Sequence, residues 1–176
     1  MKALGFDAGY NFAYGLVDLD GPVSSGTIKV PGSVRAFGIS TVAVRDHALA
    51  LMKRFKPDGV IMAEPWVRRH PPTTADSLRP IFGFTAIVEM VAQDLNIPFF
   101  EENEPRVRGY FLPGVGWNTE HIKSAAVQAC EDRCWAVVDH HSADALLMAA
   151  YLIAVKVPDR QHELLPLYQK RRRASA

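Results

Sequence analysis

Two short apolar runs in this chain end in a carboxylate, Leu4-Gly5-Phe6-Asp7 and Val60-Ile61-Met62-Ala63-Glu64. Apolar runs of this length, bounded by turn residues, form buried strands, and an ionised side chain at the end of a buried strand needs a compensating partner. A third acidic position follows at His141-Ser142-Ala143-Asp144, with an imidazole three residues before the carboxylate. If these groups converge, their joint charge requires a cation.

The patterning between them sets the architecture. Lys2 to Asp7, about Phe12 to Asp18, and Ser24 to Val30 read as strands, with a turn at Asp20-Gly21-Pro22 and a stop at Pro31-Gly32. Turns this short make their pairing antiparallel. From about Val34 to Phe55, Phe37, Val42, Ala48, Leu49, Met52 and Phe55 recur at helical spacing, and Lys53, Arg54 and Lys56 suit the C-terminal end of a helix dipole. Pro57-Asp58-Gly59 ends that helix. Val60 to Ala63 has no polar alternation, as expected of a strand covered on both faces in a parallel part of a sheet. Glu64 then falls at its carboxyl end, the edge at which open α/β sheets bind ligands.

Pro65 to Pro72 reads as a basic loop, and a helix from Ser77 or Pro80 to Leu95 carries Ile81, Phe84, Ile87, Val88, Val91 and Leu95. Ile97 to Phe100 is a second buried strand, Glu101 to Gly116 a loop, and helices follow over Thr119 to Arg133 and Ser142 to Val155. The order predicts an α/β protein of the ribonuclease H-like fold. Its sheet is mixed and five-stranded, three antiparallel strands then two parallel, flanked by helices. The 176 residues, 48% hydrophobic, fit one domain over 1–157 with a basic C-terminal tail over 158–176.

The formal net charge of +1 identifies no partner, but the charges are clustered. Basic groups gather at Arg68-Arg69-His70, Arg79, Arg106, Arg108, Lys123 and Lys170 to Arg173, while Glu101, Glu102 and Glu104 form an acidic block. Each cluster alone is compatible with solvated surface. The two cysteines, Cys130 and Cys134, lie a helical turn apart with no second Cys or His pair at zinc spacing, so reduced buried thiols are expected. The N-terminus lacks the apolar region of a signal peptide, and no apolar stretch approaches the ~20 residues that span a bilayer. The expected location is the cytoplasm.

Each acidic position has a plain structural explanation as well as a chemical one. Asp7 with Ala8-Gly9 can cap a turn or, with glycine, admit a phosphate; Glu64 can reach into solvent. His141 and Asp144 share one face at the start of a helix whose other face, Ala145, Met148, Ala149 and Leu152, is core, and an Asp there also suits the dipole. Asp139 and His140 are near alternatives; the spacing to Ala145-Leu146 favours His141 and Asp144.

These elements together resemble the RuvC family of Holliday junction resolvases, and more closely its divergent phage-type or RuvC-like members. The matching residues are Leu4-Gly5-Phe6-Asp7-Ala8-Gly9 with Gly15, Glu64, Arg106-Val107-Arg108, Gly114-Val115-Gly116, Lys123 and His141-Ser142-Ala143-Asp144-Ala145-Leu146, spanning roughly residues 1 to 155.

The resemblance implies a crossover junction endodeoxyribonuclease of DNA recombination and repair, a hydrolase acting on phosphodiester bonds. Its catalytic and metal-binding residues would be Asp7, Glu64, His141 and Asp144, holding two Mg²⁺ ions, with Mn²⁺ able to substitute. It also implies DNA contacts by Arg106, Arg108 and Lys123, with Arg68 and Arg69 as further basic candidates. Trp66 would stack on unpaired bases, or pack as a hinge beside Pro65. The partner implied is branched DNA in a bacterial or phage-infected cell, bound by a homodimer joined through the 81–95 helix, whose apolar face ordinary core packing explains equally. A less specific branched or flap DNA nuclease uses the same site. An actin-like ATPase would need a second domain and a second Asp-x-Gly loop, and a non-catalytic DNA-binding relative would not need all four positions filled.

Overall fold

The computed structural model of the chain describes residues 1–33, 36–65, 74–115 and 119–165. β1 (Lys2–Asp7), β2 (Asn11–Asp18) and β3 (Ser24–Lys29) form the antiparallel meander, and β4 (Gly59–Ala63) and β5 (Phe99–Glu102) extend the sheet in parallel from the other side of β1. The five strands lie in the order β3-β2-β1-β4-β5. The sheet is the mixed one that the sequence predicts.

Strand alternation divides the core into two. Leu4 and Phe6 of β1, with Val60 and Met62 of β4, face a cluster completed by α1 (Phe37–Phe55) and α2 (Ala75–Asp94). Ala3 and Ile61 face the opposite way, into a cluster built with α3 (Glu104–Phe111), α4 (Thr119–Asp132) and α5 (His140–Lys156). α5 is apolar nearly all round and buried from Ala145 to Ala154, as suits a helix covered on every side.

Two glycines seat α5 on the sheet. Gly5 and Gly15 are register partners across β1 and β2, and a Cβ on Gly5 would collide with the Ala145 carbonyl, one on Gly15 with the Leu146 backbone. Their absence of side chains lets helix backbone lie directly against strand backbone.

Three elements differ from the sequence reading. The second parallel strand occupies Phe99–Glu102 rather than Ile97 to Phe100. The Ile97 N–H closes the end of α2 on the Ala92 carbonyl at 2.9 Å, after Asn96 enters the left-handed region at φ 54°. Pro98 has no N–H to donate to a ladder. The segment read as a loop over Glu101 to Gly116 contains α3 as well as the end of β5. Asn103 stands extended before it, Glu104 and Pro105 open the first turn, Arg108 lies in the last, and Val107 and Phe111 bury one face. α2 also begins earlier than expected and carries Pro80 inside it. Pro158–Leu164 forms a 3₁₀ helix, with Leu164 buried and its carbonyl accepting from Arg133 Nε at 2.8 Å. Among the described residues no helix is long and apolar enough to cross a membrane.

Candidate active site

The odd positions of β1 face α5, so Asp7, the last residue of that strand, ends on the helical side where α5 begins. α5 is anchored there by a capping box. Asp139 Oδ1 accepts from the Ser142 N–H at 2.8 Å, and Ser142 Oγ accepts from the Asp139 N–H at 3.1 Å. Thr27 Oγ1 of β3 donates to the same Asp139 oxygen at 2.9 Å, tying the helix start to the sheet. Burial alone would raise the Asp139 carboxyl, but these bonds from Ser142 and Thr27 outweigh it and hold the group below its ordinary value. Asp139, the alternative acidic position in this stretch, is therefore engaged as a cap.

The cap projects His141 and Asp144 toward the end of β1. His141 Nδ1 lies 2.6 Å from Asp7 Oδ2, and its Nε2 lies 3.5 Å from the Asn11 side-chain amide. The carboxylate can only accept, which assigns the proton to Nδ1 and leaves the Nε2 lone pair facing Asn11. The bond to Asp7 raises the imidazole pKa, against the opposing effect of partial burial. His140, whose ring centroid is 4.0 Å from that of His141, is lowered by burial, with His141 and Lys123 adding to the effect.

Asp144 is the most enclosed of the three, with 13% of its side chain exposed. Burial pushes its carboxyl up to about 7, although Arg108 pulls the other way. Arg108 Nη2 lies 3.3 Å from Asp144 Oδ2 and 2.5 Å from Glu104 Oε1, while Arg108 Nε is buried with no hydrogen-bond partner. Asp7, Ala63, Glu104, Arg108 and Asp144 line one narrow cleft. The sequence reading names Glu104 only within an acidic block and pairs Arg108 with neither Glu104 nor Asp144. Asn103-Glu104-Pro105 was the available signal, since it marks a helix start and puts Glu104 and Arg108 one turn apart on one face.

Glu64 reaches the same strand edge by a different face. Its N–H donates to the Glu102 carbonyl at 2.9 Å, and its exposed side chain lines a neighbouring groove with Phe82, Glu89 and Glu101. Val60 and Met62 already face α1 and α2, and one further step of two along the chain gives Glu64 that side. In the groove, burial raises the Glu101 carboxyl and the charges of Glu89 and Glu64 raise it further. The structure thus brings Asp7, His141 and Asp144 together on the α5 side of the sheet and leaves Glu64 in a separate groove on the α1 and α2 side. Among the described residues no three His, Cys, Asp or Glu side chains stand close enough to hold an ion as they are.

Asp7 and Asp144, which line the same cleft, are oxygen donors of the kind a hard divalent cation takes, and in this structure Arg108, 3.3 Å from Asp144, supplies positive charge to them. Of the basic positions, Arg106 is exposed and 3.5 Å from Glu102, and Lys123 is 3.4 Å from Glu120 on the side of His140. Trp66, Arg68 and Arg69 lie outside the described residues, as do Gly116 and Lys170 to Arg173.

No protein-family model and no curated protein matches the sequence. Solved structures do resemble the fold. Thermus thermophilus RuvC in complex with a Holliday junction substrate matches with a TM-score of 0.66 at 16% identity, over 89% of this chain and 96% of that one. Thermus thermophilus RuvC in another structure gives 0.65 at 16% identity with the same coverage. The yeast mitochondrial Holliday junction resolvase Ydc2 gives 0.58 at 12% identity, over 92% of this chain and 82% of that one. The strand order, the flanking helices and nearly the whole length of the chain therefore follow the RuvC, ribonuclease H-like fold.

Proposed function

We propose that the protein is a metal-dependent endonuclease that resolves four-way DNA junctions, cutting paired strands as a homodimer. The observation that carries this reading is the meeting of Asp7, His141 and Asp144 at the carboxyl end of β1, on a fold shared with two junction resolvases. Fold alone supports many chemistries, so the weight lies on the site.

In this reading Asp7 and Asp144 would hold Mg²⁺ or Mn²⁺ by carboxylate oxygens, with Glu64 of the neighbouring groove as a further candidate ligand. Two such ions, when bound, promote attack of water on a phosphodiester and stabilise the departing oxygen. His141 contributes through protonation. Below its raised pKa the imidazole is a cation paired to Asp7; above it, Nδ1–H still donates to Asp7 and Nε2 can take a proton from water or ligate an ion. Arg106, Arg108 and Lys123, and Arg68 and Arg69 of the basic loop, would contact backbone phosphates, while Trp66 would stack on exposed bases. The homodimer reading is supported by the apolar side chains that α1 and α2 leave exposed, Ile39 and Val42 on one and Phe82 and Met90 on the other.

Incubation of purified protein with labelled junction, linear duplex and flap DNA tests the reading. With Mg²⁺ or Mn²⁺, symmetric paired nicks are expected on the junction, and loss of cutting with EDTA or in Asp7→Asn. Full cleavage by Asp7→Asn, or cutting in EDTA, would overturn it. Single nicks spread equally over flaps and junctions would replace it with a general branched-DNA nuclease.

A further inference from the structure

We propose that Arg108 is a built-in counter-ion of the acidic centre, displaced from Asp144 when a divalent cation binds, and that Glu104 retains the guanidinium on its release. The proposal deepens the metal-dependent reading of the site and rests on it.

The geometry supplies the argument. One nitrogen of Arg108 is shared between two carboxylates, and the closer one, at 2.5 Å, belongs to Glu104 rather than to Asp144 at 3.3 Å. Glu104 and Arg108 are one turn apart on α3, so their pairing lies within one helix and does not depend on the contact with α5. The Asp144 contact bridges α3 and α5 and is the longer of the two. Arg108 Nε is buried without a hydrogen-bond partner, an arrangement that leaves part of the side chain's hydrogen-bonding capacity unmet in its present position.

The cleft that holds this guanidinium is lined by Asp7 and Asp144, so a cation entering between those carboxylates meets a fixed positive charge only a few ångströms away. Both cannot neutralise Asp144 at once without strong repulsion. The pre-existing pair with Glu104 lets Arg108 leave Asp144 without becoming an uncompensated buried charge. It also explains why an acidic side chain at the cleft faces an arginine instead of joining the ligand set. Once released from Asp144, the same guanidinium is available to a backbone phosphate lying over the site.

Opposite signs are expected from the two partners. Titration calorimetry with MnCl₂ on the full chain, beside Asp144→Asn as the ligand control, reads both. Arg108→Gln should bind Mn²⁺ at least about tenfold more tightly than the wild type, since a nearby like charge is removed. Glu104→Gln should bind several-fold more weakly, since the guanidinium is then left to Asp144 alone. Arg108→Lys, which keeps the charge, should stay near wild type. A fold damaged by either change weakens binding in both, so a gain in Arg108→Gln is not produced by instability. Unchanged or weaker binding in Arg108→Gln overturns the proposal, as does tighter binding in Glu104→Gln. Equal Mn²⁺ binding by wild type and Asp144→Asn would instead sink the metal-centre reading, and the counter-ion proposal with it. If the wild type binds no Mn²⁺, the counter-ion role survives only through binding gained in Arg108→Gln.

Discussion

A carboxyl pushed up to about 7 by burial, as at Asp144, works against the fold whenever it is ionised. In the unfolded chain an Asp titrates near ~3.9, so between the two values the folded state binds the proton and the unfolded state does not. The contribution to stability is therefore complete below the unfolded value and is lost as pH rises through about 7. Asp144→Asn removes this penalty and should stabilise the metal-free protein at pH 8, by at most about 4 kcal/mol, and by less at pH 5. Urea denaturation in EDTA at the two pH values measures it, and a gain that fails to grow with pH would refute the electrostatic account. A stabilised but inactive variant is the usual outcome where a site holds a group against its solvation preference. The sequence singled out Asp144 as a candidate because it shares a helix face with His141 and precedes Ala145-Leu146. It did not identify Arg108 as its partner, because that pair joins residues 36 apart on two helices, and only their packing brings them together.

Glycine at positions 5 and 15 decides where α5 can lie, and α5 carries His141 and Asp144. Gly15→Ala would drive a methyl group into the Leu146 backbone, which has no rotamer by which to yield, so the helix itself must move. The expected loss is about 2–3 kcal/mol in chemical denaturation, together with separation of His141 from Asp7, visible as a fall of the His141 pKa in a histidine NMR titration. Gly38→Ala is the matched control: a Cβ there meets nothing, the residue lies in α1, and a helix-forming substitution should stabilise by up to about 1 kcal/mol. If the two variants behave alike, backbone packing at Gly15 is not what seats the helix. The strands and long helices were legible in the sequence because their apolar periodicity is strong over many residues. α3 was not, since a helix of 8 residues with two buried positions carries too little periodicity to compete with the Pro and charged residues around it. The shift of β5 had a similar origin: Ile97 looks like a strand residue, but its N–H is spent on closing α2.

The two faces of the sheet divide the work of the whole molecule. The α5 side carries Asp7, His141 and Asp144 against a closed apolar core, while the α1 and α2 side carries Glu64 at its edge and leaves Ile39, Val42, Phe82 and Met90 in water. Sequence periodicity placed Ile81, Phe84, Ile87, Val88, Val91 and Leu95 on one face of α2; Phe84, Val88 and Val91 are buried, while Phe82 and Met90, off that face, are exposed. An apolar surface spread over two adjacent helices is the kind that a two-fold partner covers, and in the proposed function two copies related in this way would present two cutting sites to the two strands of a symmetric junction. Sedimentation at micromolar concentration should therefore give twice the chain mass. The double variant Phe82→Glu with Met90→Glu should sediment as a monomer with an unchanged circular dichroism spectrum, because neither side chain is part of the core. On junction DNA that monomer should nick single strands and lose the paired cuts. A wild-type protein that remains monomeric would remove the dimer from the mechanism, and a double variant that still dimerises would move the interface to another face.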